Sequence, residues 1–320
     1  MSDTFEDRDG VIWFDGELVD WRDAKIHLLT HTLHYGLGVF EGVRAYDTNK
    51  GPVIFRLDDH TDRLFRSAHI SGMDMPFSRE QISAAQKLVI RENKLVEGYL
   101  RPMCFYGSEG MGLRAEGLKT HCIIAGWEWP NYMSPEALEE GIKVRTSSFT
   151  RHHVNITMCK ANANGNYINS MMALKEAIDS GCEEALLLDN EGYVAEGSGE
   201  NIFLLQKGQL VTPELTSRLE SITRTTIIDF AEEIGLTVKE RRITRDEVYI
   251  ADEAFFTGTA AEVLPIRELD GRVIGSGRRG PITEKLQTMY FDQVHGKRPE
   301  HPEWGGVVYA DYNTGKDLAA

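Results

Sequence analysis

The sequence is poor in cysteine and lacks any grouping of cysteines that would hold a metal ion. The four cysteines among 320 residues are Cys104, Cys122, Cys159 and Cys182. They form no C-x-x-C pair and no cluster with histidine, so the pattern predicts neither a zinc site nor a redox dithiol. It is typical of a reduced cytoplasmic protein.

Long apolar runs and a basic excess are missing as well. No apolar run approaches the roughly 20 residues that span a bilayer, and the acidic start MSDTFEDRDG does not resemble a signal peptide. Lys and Arg total 35 against 50 Asp and Glu, a net charge of -15. This balance argues against a nucleic-acid partner but permits a small anionic ligand. We therefore expect a cytoplasmic protein that acts on small molecules, with no membrane or nucleic-acid partner.

The length exceeds that of a usual single domain, which predicts two lobes. Turn-forming residues near 130–135 indicate a linker between them. The predicted divisions are a small N-terminal α/β domain over 1–129, a linker over 130–137, a large domain over 138–298 and an irregular C-terminal tail over 299–320.

Several elements follow from local pattern. VIWFDGELVDW predicts a hairpin that turns at Asp15-Gly16. The segment from Glu183 to Pro213 predicts a β-meander. In NYINSMMALKEAIDSG, the residues Tyr167, Met171, Leu174 and Ile178 share one helical face, which we interpret as core packing for all but Tyr167.

A few polar positions are candidates for chemistry. Glu196 ends a Gly/Ser-rich strand, where a carboxylate could contact a cationic ligand atom or simply be an exposed turn residue. Ser221-Ile222-Thr223 opens a helix whose free N–H groups could bind a phosphate, and its spacing alone favours a simple N-cap. The turn at Thr259 is rich in small residues and would let a backbone approach a ligand.

Taken together, these fragments carry a family resemblance. The order E-x-S-x-x-N-I-F, L-V-T and L-E-S-I-T-R resembles the signature of the class IV, fold type IV pyridoxal-phosphate aminotransferases. HTLHYGLGVFEGVRAY, HTDRLFRSA, YLRPMCFYGSEGMGL and ADEAFFTGTAAEVLPIR are similar to the bacterial branched-chain amino-acid branch. The resemblance implies an α+β fold with a small N-terminal α/β lobe, a larger C-terminal lobe with a barrel-like sheet, and a homodimer at least.

The resemblance also implies residue roles at the cofactor, pyridoxal 5'-phosphate. Glu196 would face the pyridine nitrogen and Tyr167 would bond the ring oxygen. The phosphate would be held by Arg63, Ile222, Thr223 and Thr259. No metal is implied.

Substrate roles follow in the same way. The resemblance implies aromatic walls from Phe40, Tyr99 and Tyr132 for leucine, isoleucine or valine, and a distal-carboxylate contact from Arg101 with Tyr35 when 2-oxoglutarate binds. Tyr35, Met111 and Leu113 would come from a neighbouring subunit. The backbone at Thr259 and Ala260 would bind the α-carboxylate.

One position departs from the family. The Schiff-base lysine of the family lies five residues before the tyrosine of G-N-Y, and this chain has Asn162 there. An amide nitrogen is not a nucleophile and is a poor base. Lys160 lies two residues upstream, which is about 6.6–7 Å along an extended chain. We interpret Lys160 as a structural or surface lysine, and as a less suitable substitute for the Schiff-base lysine. Asn162 is consistent with an engineered change, a natural loss, or a remodelled loop that uses Lys160, and we favour the first two.

We therefore predict a branched-chain aminotransferase whose turnover is severely reduced. The alternatives are another fold type IV activity, D-amino-acid transamination or aminodeoxychorismate lysis, and a non-catalytic protein that binds pyridoxal phosphate or amino acids.

Overall fold

The computed structural model describes residues 4–129 and 133–309. Of these, residues 4–129, 161–165 and 293–309 form one compact unit, and residues 133–160 and 166–292 form a second. The domain boundaries given above stay predictions. The predicted linker lies partly outside the described residues.

The described residues of the two units form eight α-helices and seventeen β-strands. The helices are α1 (His31–Tyr35), α2 (Leu57–Ile70), α3 (Arg79–Glu92), α4 (Pro135–Glu140), α5 (Tyr167–Asp179), α6 (Ile222–Glu233), α7 (Arg245–Tyr249) and α8 (Pro281–Val294). The strands are β1 (Val11–Phe14), β2 (Glu17–Asp20), β3 (Gly38–Phe40), β4 (Val43–Tyr46), β5 (Val53–Phe55), β6 (Gly98–Tyr106), β7 (Thr120–Trp127), β8 (Ile142–Thr146), β9 (Glu184–Leu188), β10 (Val194–Glu196), β11 (Asn201–Gln206), β12 (Gln209–Thr212), β13 (Val238–Glu240), β14 (Glu253–Gly258), β15 (Glu262–Leu269), β16 (Arg272–Val273) and β17 (Gly305–Val307).

The first unit is built on a sheet in the order β17-β5-β4-β6-β7-β1-β2, with β3 paired to β6. The predicted hairpin is confirmed: β1 and β2 are antiparallel, and Asp15 and Gly16 take φ of 49° and 102° at the turn. Positive φ at both central residues is what a type I′ hairpin turn requires. Helices α2 and α3 contribute Leu64 and Val89 to the buried cluster on this sheet.

The second unit has a sheet in the order β10-β9-β8-β15-β14-β11-β12-β13, with β16 paired to β15. Both hairpins of the predicted meander are present, since β9 pairs antiparallel with β10 and β11 pairs antiparallel with β12. The predicted meander is not continuous, because the sheet order places β8, β15 and β14 between the two hairpins. A tight turn follows β10, in which the N–H of Gly197 donates to the carbonyl of Glu200 at 2.7 Å. On its other edge, β9 pairs in parallel with β8.

Helix α5 buries a different face from the one that its apolar spacing indicates. Its buried residues are Ser170, Ala173 and Ala177, whereas Met171 is 70% exposed and Ile178 is 57% exposed. The core interpretation of those two residues is wrong. Small side chains allow the helix to approach β9 closely, and they pack against Ala185 and Leu187 there.

The C-terminal segment is more regular than its composition predicts. Residues Pro302–Trp304 form a 3₁₀ turn, and β17 pairs antiparallel with β5, placing Val307 opposite Val53. The buried Trp304 accepts the N–H of Arg56 through its carbonyl at 2.7 Å. The edge of β5 offers unpaired backbone groups that this segment satisfies. Over the described residues, no helix combines the length and apolar character needed to cross a membrane.

Candidate functional site

The backbone at Asn162 is anchored on both sides within the first unit. Its N–H donates to Ser67 Oγ at 2.9 Å, and its carbonyl accepts the N–H of Phe40 at 3.0 Å. The next residue, Ala163, forms a β-bridge with Val39. Asn162 is 4% exposed. Because these bonds involve backbone atoms of residue 162, they hold the position regardless of which side chain it carries.

Lys160 belongs to the second unit and has a partner there. Its Nζ donates to the carbonyl oxygen of Leu215. Desolvation lowers the pKa of Lys160, and the charge of Arg218 lowers it further, while Glu220 opposes this. The amine of Lys160 is thus hydrogen-bonded to a backbone carbonyl and is not free.

Arg63 on α2 belongs to a buried ionic cluster that also contains His60 of the same helix and Glu41. Its Nε and Nη2 donate to the two carboxylate oxygens of Glu41 at 2.8 and 2.7 Å, and His60 Nδ1 lies 2.8 Å from Glu41 Oε2. Burial raises the pKa of Glu41, but Arg63 and His60 together outweigh it and bring the pKa to about 2. Burial lowers the pKa of His60. The bidentate pair fixes the plane of the Arg63 guanidinium.

Glu196 is a buried carboxylate at the end of β10 and is not an exposed turn residue. Its Oε1 lies 2.6 Å from Arg151 Nε, and Oε2 accepts from Asn201 Nδ2 at 3.3 Å. Burial raises the pKa of Glu196, while the positive charges of Arg151, Arg218 and Lys160 oppose the rise. A carboxylate in this setting is stabilised by positive charge.

Sequence reasoning missed the residues that surround these groups. Arg151 and Arg218 lie far from Glu196 along the chain, and Glu41 lies 22 residues before Arg63. No spacing rule relates such positions. The only local signal is a buried-strand context around Glu41 that would require a cationic partner for a carboxylate.

The candidate phosphate donors of the second unit lie at two chain turns. Ser221 is the N-cap of α6, and its side chain accepts from the N–H of Arg224 at 3.3 Å. The N-cap interpretation is therefore confirmed, and Ile222 and Thr223 follow it as buried first-turn residues. Thr259 and Ala260 lie half-buried between β14 and β15.

The predicted substrate residues divide into a packed set and an exposed set. The Arg101 guanidinium carbon lies 4.6 Å from the Phe40 ring centroid and 5.5 Å from that of Tyr99. Tyr35 is 44% exposed and Leu113 is 88% exposed. Met111 is likewise half exposed, and Tyr132 lies outside the described residues.

Comparison with known proteins supplies the family. The family model described as amino-transferase class IV matches residues 38–269. A branched-chain-amino-acid aminotransferase of Pseudomonas aeruginosa is 68% identical over 302 residues, covering 94% of this chain and 98% of the relative. That of Escherichia coli is 44% identical over 296 residues and covers 92% and 95%.

Solved structures agree in fold. A branched-chain amino acid aminotransferase of E. coli superposes with a TM-score of 0.92 at 43% identity, covering 94% of this chain and 100% of that chain. The branched-chain amino acid aminotransferase of Thermobaculum terrenum, solved in its PLP-form, gives a TM-score of 0.86 at 34% identity, covering 93% and 97%. These matches confirm the predicted fold type IV architecture of mixed helices and sheets.

Proposed function

Since the chain belongs to the class IV aminotransferase family and is a branched-chain aminotransferase by homology, we propose that it binds pyridoxal 5'-phosphate together with leucine, isoleucine, valine or 2-oxoglutarate but transfers the amino group very slowly. The observation that carries this proposal is Asn162, which occupies an anchored backbone position without an amine.

The four cysteines are free thiols, which supports the predicted reducing compartment, the cytoplasm.

The donor set fits non-covalent binding of the cofactor. The N-terminus of α6, a helix of 12 residues, offers N–H groups at Ile222 and Thr223 to the phosphate. Arg63 and Thr259 complete the proposed phosphate set. Tyr167 begins α5 and would donate to the ring oxygen. The bound cofactor supplies an electron sink for charge developed at the substrate Cα.

Glu196 is the proposed partner of the ring nitrogen. A carboxylate that is buried and held by Arg151 keeps a fixed orientation, so it can hold a proton on that nitrogen without rearranging. Fixing the charge beforehand is what makes such a group effective in a site that excludes water.

Asn162 limits the reaction to binding. The lone pair of its amide nitrogen is delocalised into the carbonyl group. The nitrogen therefore neither bonds to an aldehyde nor removes a proton from the substrate Cα. Lys160 already donates to the Leu215 carbonyl, so its amine would have to break that bond and be placed within reach of the proton. Strong binding with weak turnover is the expected result.

The substrate contacts rest on the packed set of the first unit. Phe40 and Tyr99 supply apolar area for a branched side chain. Arg101 has a buried Nε with no hydrogen-bond partner in the described part of the chain, so it is available for the distal carboxylate of 2-oxoglutarate. Thr259 and Ala260 would bind the α-carboxylate through their backbone.

A second copy of the chain would complete the site. Tyr35, Met111 and Leu113 are exposed large apolar residues, as are Ile168 and Met171 on α5. Exposed apolar side chains in this number favour an interface over free solvent. We propose a homodimer at least, with the first three side chains reaching the partner's site.

The runner-up functions differ in what they would process. D-amino-acid transamination and aminodeoxychorismate lysis use the same fold, but the matched relatives carry the branched-chain name. A purely binding protein is the second alternative, and Asn162 is the residue that favours it.

One experiment tests the proposal directly. We expect the purified chain mixed with pyridoxal phosphate to bind the cofactor, and borohydride reduction followed by peptide mass spectrometry to find no covalent label. Asn162→Lys serves as the positive control and should be labelled at residue 162, and Lys160→Ala should bind like the parent.

Two outcomes would contradict the proposal. A label on Lys160 would show that this residue replaces the missing amine. Failure of the parent to bind the cofactor at all would show that the donor set is not functional.

A further inference from the structure

Arg218 is a buried arginine whose hydrogen-bonding capacity is largely unused. It lies in the loop between β12 and α6 and is 3% exposed. Its Nε and Nη1 make no hydrogen bond to any residue that the structure describes. Burial lowers the pKa of Arg218 to about 10. A guanidinium is charged in proteins, and burying it without hydrogen bonds is unfavourable.

Each carboxylate whose charge stabilises Arg218 forms a hydrogen bond or an ion pair with another group. Glu196 is paired with Arg151 at 2.6 Å. Asp189 accepts two backbone N–H groups at 2.9 Å each, and Glu214 accepts from a second arginine at 3.3 Å. These attractions stabilise the charge of Arg218 at a distance but leave its Nε and Nη1 donors unused.

Arg218 contributes to the wall of a cavity of about 120 Å³ in the second unit. Thr216, Ser217 and Tyr193 line the same cavity. The other arginine of the wall, Arg242, is held in ion pairs by two glutamates. Within the part of the chain that the structure describes, Arg218 is thus the cavity arginine without an ion pair.

We propose that this cavity binds a small carboxylate through the guanidinium of Arg218. A planar carboxylate matches the geometry of an arginine fork and brings the single negative charge that Arg218 lacks. A phosphate is a poorer fit, because Asp189, Glu191 and Glu214 also line the cavity and repel a second negative charge.

The ligand source is either a free 2-oxo acid or an amino acid, since both carry the same carboxylate. The site is separate from the residues assigned to the cofactor and substrate above and does not rest on that assignment. Its charge still reaches Glu196, so a carboxylate bound at Arg218 would weaken the positive field at that side chain.

The test is the thermal stability of the full chain in sodium acetate against sodium chloride at equal ionic strength. Ligand binding raises the melting temperature as occupancy increases. We expect acetate to raise it for the parent and for Arg278→Gln, which changes an exposed arginine outside the cavity. In Arg218→Gln the acetate affinity should fall about 10-fold or more, because hydrogen bonds to a charged group are lost.

Arg218→Lys is the second variant, because it keeps the charge but loses the planar fork, and it should weaken acetate binding. Parallel titrations with leucine and with 4-methyl-2-oxopentanoate show which source raises the melting temperature in an Arg218-dependent way. The proposal is overturned by an absence of any acetate effect in the parent, by an equal effect in Arg218→Gln, or by inorganic phosphate acting at lower concentration than acetate in a way that is lost in Arg218→Gln.

Discussion

Replacing Asn162 by lysine raises leucine–2-oxoglutarate transamination by an expected factor on the order of 10²–10⁴, the usual contribution of a positioned general base. The gain comes from an amine placed on a backbone that Ser67 and Phe40 already hold. The measurement is the initial rate of 4-methyl-2-oxopentanoate formation from leucine, with purified parent and variant at equal cofactor occupancy.

Asn162→Gln is the matched control, since it changes the length of the side chain without adding an amine, and it should leave the rate at the parent level. Adding Lys160→Ala to Asn162→Lys should leave the restored rate nearly unchanged. A rate for Asn162→Lys equal to that of the parent would mean that the alignment of residue 162 or the substrate class is wrong.

The second large effect concerns stability. Glu41→Gln is expected to lower the free energy of unfolding by about 3–5 kcal/mol, because it leaves the Arg63 guanidinium buried beside a neutral amide. The bond from Glu41 to His60 weakens as well. Urea unfolding of parent and variant measures the change, and Glu17→Gln on an exposed strand residue is the matched control.

The contribution of Glu41 to the free energy of unfolding is expected to fall as the pH is lowered. Folding lowers the pKa of Glu41 from its usual 4.5 to about 2, so the folded state binds this proton more weakly than the unfolded state. The stabilisation is complete above pH 4.5 and is lost as the pH falls toward 2.

Glu41→Gln should therefore lose less stability than the parent between pH 4.5 and 2. Equal acid sensitivity in both proteins would show that the cluster does not govern acid unfolding. The double variant Glu41→Gln with Arg63→Met removes the buried guanidinium as well and should recover much of the lost stability.

The sequence was sufficient where local chemistry decides the structure. The Asp15-Gly16 turn needs two positive φ values, and Ser221 is a natural N-cap, so both follow from residue type. Apolar periodicity misled at α5, because small residues permit close packing and make Ala173 more buried than Met171. Periodicity reports what a helix could bury, whereas close packing decides what it does bury.

The ion pairs around the candidate site could not be predicted from the sequence. Glu41 meets Arg63 and Glu196 meets Arg151 through tertiary contact, and neither pair has a sequence signature. Arg218 carries no local signal for its unused donors. Order and spacing predict the residues named by family resemblance, whereas their charged neighbours are defined only by the folded chain.

The backbone anchor of Asn162 has an evolutionary consequence. Codons for asparagine and lysine differ by one base, and the bonds to Ser67 and Phe40 do not depend on the side chain between them. The position can therefore change from amide to amine by a single nucleotide substitution while its backbone bonds are kept. An amine at residue 162 is therefore within reach of selection at any generation.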